Sequence, residues 1–157
     1  MTAGIRVSEE PATSPVAQHC LELYYGELRT RFEEGFDPSR SVVHSLYEFA
    51  PPRGCFLVIY ASGEPVACGG FTPLGAAAYL KRMWVAPAAR GLGMGRRLLA
   101  ALEEKARSLG YRSARLETHQ TLAEARQLYR SSGYVEVEPF NAELYAHHWF
   151  EKPLDGA

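Results

Sequence analysis

The sequence predicts an α+β domain, a mixed α/β arrangement in which helices cover both faces of a central, mostly antiparallel sheet of about six to seven strands. Two observations predict this fold class. Residues 55–85 contain three β-type runs separated only by short turns, which is typical of an antiparallel meander. Helical and β-type runs then alternate as far as residue 152. The chain has 157 residues, enough to bury a core as one domain.

The first fifty residues are predicted to be mainly helical. Residues 5–7 form a short β-type run, and a helix is predicted to follow from Ser14, its N-cap. Gly35 ends this helix, and a shorter helix is predicted to start at Pro38 or Ser39. The apolar face of the first helix consists of Val16, Cys20, Leu23, Tyr24, Leu28 and Phe32. The shorter helix carries His44, Tyr47 and Glu48.

Three consecutive strands come next. The β-type runs predict them at residues 55–61, 65–71 and 79–85. Turn residues lie between them at 62–64 and 72–75. Because the connections are so short, neighbouring strands must run in opposite directions.

The second half of the chain alternates between helix and strand. An apolar stripe predicts a helix from about Met94 to Leu109, and Gly110 stands where a helix-ending residue is expected. A further helix is predicted at residues 122–131, with Gly133 behind it. The remaining predicted strands are at residues 113–118, 134–137 and 147–152.

Composition excludes several classes of partner. The 17 basic and 18 acidic residues nearly cancel, so neither nucleic acid nor an anionic membrane is predicted as a partner. Cys20, Cys55 and Cys68 are odd in number and widely spaced, which predicts neither a disulfide framework nor a zinc site. The polar N-terminus lacks a signal core, and no apolar run is long enough to span a bilayer. We therefore expect a soluble, cytoplasmic protein.

The most informative segment is the glycine-rich turn between the strand that ends at Val85 and the helix that begins near Met94. It contains Gly91, Gly93 and Gly95. Such a turn brings several backbone N–H groups, without side chains, to the N-terminus of a helix. The positive end of the helix dipole adds to this site, which favours a phosphate or pyrophosphate group.

Two common phosphate-binding loops fit poorly. A P-loop needs Gly-Lys-Ser/Thr, and this chain has Gly-Arg-Arg at residues 95–97. In a Rossmann site, Glu117 would be the ribose-binding acid, since it lies near the end of the following strand. However, Arg96 stands where the third glycine should be, and five residues, 86–90, separate the strand from the first glycine. Both observations disfavour a dinucleotide fold.

Two motifs resemble those of the GNAT-type N-acetyltransferases. Residues 90–95, Arg-Gly-Leu-Gly-Met-Gly, resemble the Arg/Gln-x-x-Gly-x-Gly/Ala signature of that family, and they follow the Val-x-Pro that the family prefers, here residues 85–87. Residues 124–134 resemble its second signature, Ala-x-x-Leu-Tyr-x-x-x-Gly-Phe/Tyr. The resemblance covers about residues 54 to 152.

The resemblance implies a single GNAT-like domain over residues 1–157 with a splayed sheet. The N-terminal helices (1–50) would form the substrate side, residues 54–138 the acetyl-CoA-binding core, and residues 139–157 a C-terminal strand segment. The pantetheine arm of acetyl-CoA would enter the splay, and the amides of residues 91–96 would hold its pyrophosphate. The implied cofactor-binding residues are Met83, Trp84, Val85, Arg90, Gly91, Leu92, Gly93, Met94, Gly95, Arg96 and Tyr129.

The resemblance also implies the chemistry: direct attack of an amine on the acetyl thioester. Tyr129 falls on the family's tyrosine and would protonate the leaving thiolate as general acid. An amide near Trp84–Val85 would polarise the thioester carbonyl. Many relatives carry an acid on the strand before the loop, but residues 79–82, Tyr-Leu-Lys-Arg, contain none. This departure leaves the base unassigned and permits a proton transfer relayed by water. The candidate general bases are Glu117, His119, His44 and Glu48, of which Glu117 has the best location.

Substrate recognition is expected from the N-terminal helices and the C-terminal segment. The candidate substrate-binding residues are His44, Tyr47, Glu48, His119, Asn141 and Tyr145. No metal is predicted, because the adjacent His147 and His148 would point to opposite faces of a strand.

Three functions remain open at this point. The first is N-acetylation of a small-molecule amine or amino acid. The second is acetylation of a protein or peptide, which would use the same cofactor residues, and the third is a non-catalytic acyl-CoA sensor. The family's fold often pairs through edge strands or through its C-terminal segment, so a homodimer is one possible assembly.

Overall fold

A seven-stranded sheet, in the order β1-β2-β3-β4-β5-β7-β6, organises the chain in the computed structural model, which describes residues 4–154. Every neighbouring pair is antiparallel except β4 and β5, which are parallel. The strands are β1 (Ile5–Glu9), β2 (Cys55–Ala61), β3 (Glu64–Leu74), β4 (Ala77–Val85), β5 (Ser113–Thr118), β6 (Val135–Val137) and β7 (His148–Pro153). The helices are α1 (Pro15–Arg31), α2 (Met94–Ser108) and α3 (Ala123–Ser131).

The helices lie on opposite faces of the sheet. Side chains alternate along β2, so that Leu57 and Ile59 pack in one core with α2, whereas Val58 and Tyr60 pack in a second core with α1. The predicted α+β class, with a mostly antiparallel sheet and helices on both faces, is confirmed. Among the described residues, no helix is both long and apolar enough to cross a membrane. The domain boundaries stay a prediction, and their ends at residues 1–3 and 155–157 lie outside the described residues.

Helix α1 begins where the sequence predicts. The Ser14 hydroxyl accepts a hydrogen bond from the Ala17 amide at 3.1 Å, and Pro15 occupies the first helical position. One detail differs: Leu23 is 48% exposed, because the buried face of α1 runs instead through Leu21 and its neighbours. The buried residues of α1 are Ala17, Cys20, Leu21, Tyr25 and Leu28.

The predicted short helix after Pro38 is wrong. Residues 38–40 and 46–49 form two separate 3₁₀ turns. Between them, Ser41 and Val43 hydrogen-bond to buried charged side chains elsewhere in the fold, as described below. These tertiary hydrogen bonds need an extended chain, and they override the local helical tendency.

Strands β4 and β5 pair over only three positions and then separate. The paired residues end at Tyr79 and Arg115, and the remainder of β4 has no strand partner on this side. The cause lies on the other side of β4, where Arg82 and Met83 together oppose the single Gly69 of β3. Such a bulge bends the strand that carries it. Arg82 has a φ of +63°, which is uncommon for a residue other than glycine.

Candidate functional site

Two adjoining cavities occupy the gap between β4 and β5. The outer cavity, of about 340 Å³, lies among the glycine-rich loop, the end of β4, α1 and α3. The inner cavity, of about 100 Å³, lies closer to the point where the strands part, between residues 80–83 and 117–119. Residues that line both cavities are Tyr24, Leu28, Met83, Leu122, Ala125 and Tyr129. The shared wall makes the cavities two compartments of one cleft.

The glycine-rich loop forms one end of the outer cavity. Gly91 and Gly93 have φ angles of +79° and +82°, and Gly93 is the N-cap of α2. Among the described residues, no group accepts a hydrogen bond from the backbone amides of residues 91–96. Free amides at the positive end of a helix dipole are the chemistry that a phosphate or pyrophosphate requires.

The arginines of the loop are engaged with other parts of the protein. Arg90 donates through Nε to the Val85 carbonyl at 2.9 Å, and its guanidinium pairs with the Glu27 carboxylate of α1. Arg96 donates to two serine hydroxyls at the C-terminal end of α3. Both guanidiniums therefore tie the loop to its neighbouring helices.

The other loop residues differ in their surroundings. Leu92 is 69% exposed, whereas Met94 is buried and lines the outer cavity. A Cβ atom on Gly95 would lie 3.2 Å from Cδ2 of Leu128. A glycine at position 95 therefore allows α2 to pack closely against α3.

The end of β4 presents backbone groups to the outer cavity. The amide of Ala86 donates to the Val66 carbonyl on β3 at 2.8 Å. Because successive residues of a strand direct their backbone groups to opposite sides, the N–H and C=O of Val85 face the gap. Met83 packs against the core that contains α2, and the Trp84 side chain is buried on the opposite face.

Tyr129 lies where the two cavities meet. Its ring is buried and packs against Tyr134 and Phe150. No group within residues 4–154 hydrogen-bonds to its hydroxyl. Burial, together with the negative charge of Glu117, raises the pKa of Tyr129 well above its usual value. The phenol therefore keeps its proton throughout the physiological pH range.

Glu117 lines the inner cavity near the carboxyl end of β5. Its Oε1 atom accepts hydrogen bonds from the Tyr79 hydroxyl and from the Asn141 amide. Its Oε2 atom is buried and has no hydrogen-bond partner among the described residues. This oxygen lies 3.7 Å from the Lys81 ammonium, so it is ion-paired but keeps an unused capacity to accept a hydrogen bond.

A second buried carboxylate faces Glu117 across Lys81. The Lys81 ammonium lies 2.9 Å from Oε1 of Glu143 and 3.7 Å from Oε2 of Glu117. The Ser41 hydroxyl also donates to Glu143. Burial raises the pKa of Glu143, but the charge of Lys81 and the hydrogen bonds from Ser41 and Lys81 outweigh it, so the pKa is lowered overall. Glu143 therefore stays ionised at neutral pH.

Arg82, the next residue of β4, also lines the inner cavity. Only 6% of its surface is exposed. The guanidinium donates to the Tyr25 hydroxyl and to the Val43 carbonyl. Within the described chain it has no carboxylate partner.

Three of the predicted substrate-binding residues lie at or beside the inner cavity. His119 is buried, stacks on Phe32 at 3.8 Å between ring centroids, and contacts the Glu34 carboxylate through Nε2. Tyr145 lines the cavity and accepts a hydrogen bond from the Asp37 amide. The third residue, Asn141, lies beside the cavity, and its side-chain amide donates a hydrogen bond to Oε1 of Glu117.

The other three predicted substrate-binding residues lie elsewhere. His44, Tyr47 and Glu48 are exposed, and none of them lines either cavity in the gap. Tyr47 lines a separate cavity beside residues 9–13 of the chain. Within residues 4–154, no group of His, Cys, Asp or Glu side chains could hold a metal ion, and all three cysteines are free thiols.

Sequence reasoning missed six residues with polar side chains in the wall of the inner cavity. They are Tyr24, Ser41, Lys81, Arg82, Thr118 and Glu143. The one signal that could have found any of them is the pair of consecutive cations, Lys81 and Arg82, inside an otherwise apolar strand. Charged residues are seldom buried without a functional or structural partner.

Comparison with known proteins agrees with this geometry. The profile of the family described as "Acetyltransferase (GNAT) family" matches residues 20–134. An IAA acetyltransferase of Azospirillum brasilense is 35% identical over 136 residues, which cover 84% of each chain.

Solved structures share the fold. An acetyltransferase of the GNAT family from Staphylococcus aureus Mu50 has a TM-score of 0.80 and 17% identity, covering 96% of this chain and 99% of its own. The PaiA N-acetyltransferase of Thermoplasma acidophilum, in complex with coenzyme A, has a TM-score of 0.74 and 14% identity, covering 95% and 98%. With the family profile, the curated relative, the splayed sheet and the glycine-rich loop all in agreement, the chain belongs to the GNAT acetyltransferase family and is an acyltransferase.

Proposed function

We propose that the chain transfers the acetyl group of acetyl-CoA to a primary amine of a small molecule or an amino acid. The amine attacks the thioester directly, Tyr129 protonates the departing thiolate, and Glu117 accepts the proton that the amine loses. The observation that carries the proposal is the position of Tyr129. Its protonated hydroxyl, without a partner in the described chain, belongs to a residue that lines both the outer and the inner cavity.

The outer cavity is the proposed site for acetyl-CoA. The amides of residues 91–96 and the N-terminus of α2 would hold the pyrophosphate. Backbone groups of Met83 and Val85 would pair with the pantetheine arm, and an amide near Trp84–Val85 would stabilise the oxyanion. The Val85 carbonyl accepts from Arg90 in this structure, so a hydrogen bond from pantetheine at that oxygen would compete with the arginine.

The inner cavity is the proposed site for the amine. Glu117 lies in its wall, and its buried Oε2 atom accepts no hydrogen bond from the described residues, so a small shift of the side chain would let the carboxylate accept a hydrogen bond from an ammonium group and then its proton. The cavity of about 100 Å³ is walled by residues such as Phe36, Ser41 and Tyr145. It offers the space of about three water molecules, which favours a small acceptor over a peptide. A cytoplasmic location and a homodimer stay predictions.

A thiol-release assay tests the proposal. The purified chain is mixed with acetyl-CoA and with a panel of small amines, amino acids and short peptides, and the free thiol of coenzyme A is measured. We expect turnover of small amines or amino acids with kcat/KM well above that of any peptide. Saturable binding of acetyl-CoA without turnover would contradict the proposal, and a preference for peptides would favour the protein-acetylating alternative.

Replacing Gly93 by aspartate tests the phosphate site. The carboxylate would stand among the free amides and repel the pyrophosphate, so we expect the Kd of acetyl-CoA to rise about a hundredfold in calorimetric titration. Gly75→Asp is the matched control, because Gly75 also has a positive φ and open surroundings but lies in the β3–β4 turn. Equal affinities of the two variants would show that the loop holds no phosphate.

Replacing Tyr129 by phenylalanine tests the general acid. We expect kcat to fall about a hundredfold to ten-thousandfold while the affinity for acetyl-CoA stays nearly constant, because only the proton donor is lost. Tyr47→Phe is the control, since Tyr47 is exposed and distant from the cleft. Tyr24→Phe removes the other phenol that lines both cavities. A larger loss in Tyr24→Phe than in Tyr129→Phe would assign the acid to Tyr24.

Replacing Glu117 by glutamine tests the general base. Glutamine can still accept the Tyr79 hydrogen bond, but it cannot take a proton from the amine. We expect kcat/KM to fall about a hundredfold at neutral pH, and the deficit to shrink as pH rises, because an amine that is already neutral needs no base. Glu104→Gln is the control, since the Glu104 side chain is 80% exposed. A deficit that is constant across pH would indicate a structural role for Glu117.

A further inference from the structure

Arg82 is a buried cation that has no carboxylate partner within residues 4–154. Its two described hydrogen-bond partners, the Tyr25 hydroxyl and the Val43 carbonyl, are both uncharged. They accept from Nε and Nη2, and no described group accepts from Nη1. A buried charge is costly unless it is paired, so the unoccupied N–H edge at Nη1 is available to an anion that residues 4–154 do not supply.

Arg82, whose Nη1 group has no described hydrogen-bond acceptor, is part of the wall of the inner cavity. The bulge in β4 gives Arg82 its positive φ and turns it out of the regular alternation of the strand. The guanidinium is held between α1, through Tyr25, and the extended segment that contains Val43. Two neutral contacts orient the group without cancelling its charge.

The neighbouring residue, Lys81, is paired with carboxylates, whereas Arg82 is not. Its ammonium lies between two carboxylates, Glu117 and Glu143. Two negative charges and one positive charge leave that part of the cavity with one negative charge in excess. The wall of the cavity therefore presents a net negative cluster on the side of β5 and Glu143, and a separate positive group on the side of α1.

This charge pattern matches an acceptor that is itself a zwitterion. We infer that the inner cavity binds a small amino acid, with the Arg82 guanidinium holding its carboxylate and the net negative cluster of Glu117, Glu143 and Lys81 attracting its ammonium. The inference rests on the proposed function, since it names the class of amine that the same site takes. An arginine is suited to this role because its planar fork can bond a carboxylate through two N–H groups at once.

The size of the cavity limits the acceptor. A volume of about 100 Å³ suits an amino acid with a short side chain. A phosphate dianion would add a second negative charge, and Arg82 is the one cation of the described cavity wall that is free of a carboxylate. The pattern therefore favours a carboxylate over a phosphate.

Matched pairs of acceptors test this inference on the wild-type chain. Glycine, alanine and serine are each compared with their carboxamides, which keep the amine and the shape but lose the negative charge. We expect kcat/KM for each acid to exceed that of its amide by about tenfold to a hundredfold, the range for hydrogen bonds to charged groups. Equal or better turnover of the amides would overturn the inference and leave the proposed N-acetylation intact.

Variants of Arg82 test whether this residue binds the carboxylate of the acceptor. In Arg82→Gln we expect the acid-to-amide ratio of kcat/KM to fall towards one, and Arg82→Lys should restore part of it because the charge returns without the fork. Arg29→Gln is the matched control, since Arg29 is exposed on α1 and lines neither cavity. A ratio that is unchanged in Arg82→Gln would overturn the assignment.

A binding measurement separates this inference from the proposed function. Alanine is titrated calorimetrically into the wild-type chain and into Arg82→Gln, each saturated with coenzyme A, and acetyl-CoA affinity checks that the variant is folded. Binding of alanine that weakens at least tenfold in the variant supports the carboxylate site even if no acetyl transfer occurs. Alanine binding that is absent from the wild-type chain, or equally tight in both, would overturn it.

Discussion

The parting of strand β4 from strand β5 after Tyr79 is the constraint on which both cavities depend. Arg82 and Met83 oppose one residue of β3, Gly69, and the resulting bulge bends β4. A Cβ atom on Gly69 would lie 3.3 Å from the Met83 Cα atom, so the glycine permits this crossing. The bend leaves backbone groups of β4 without a strand partner, a costly state inside a sheet. The same bulge turns Arg82 into the wall of the inner cavity. The bulge in β4 therefore determines both the shape of the cleft and the position of a charged side chain in its wall.

Burial of charge is the second feature that organises the cleft. The Lys81 ammonium and the carboxylates of Glu117 and Glu143 are each at least nine-tenths buried, and their attraction has to offset their loss of water. An apolar cluster of the same volume would be no less stable in many proteins. The network also holds the 3₁₀ region in place, because Ser41 bonds to Glu143 and the Val43 carbonyl accepts from the neighbouring arginine of β4. We attribute its presence to the reaction rather than to stability.

Features that depend on neighbouring residues could be predicted from the sequence, whereas features that depend on residues far apart in the chain could not. The glycine-rich loop and the N-cap at Ser14 depend on neighbouring residues, so local patterns suffice for them. The inner cavity joins positions 41, 81, 117 and 143, which only the folded sheet brings together. In the segment of residues 38–48, the sequence therefore predicted His44, Tyr47 and Glu48 as substrate-binding residues. The residue of this segment that lines the inner cavity is Ser41. The local sequence at positions 38–48 could not reveal these hydrogen bonds.

The protonation states of the proposed acid, Tyr129, and the proposed base, Glu117, are coupled electrostatically. The negative charge of Glu117 is one cause of the raised pKa of Tyr129, so the phenol holds its proton firmly while the carboxylate is ionised. In the proposed mechanism, Glu117 would lose that charge on taking the proton of the attacking amine, and the phenol would become a stronger acid. This change would come at the stage when the thiolate needs a proton. Proton uptake at one end of the cleft thus favours proton release at the other, and the low dielectric of the buried site strengthens the effect.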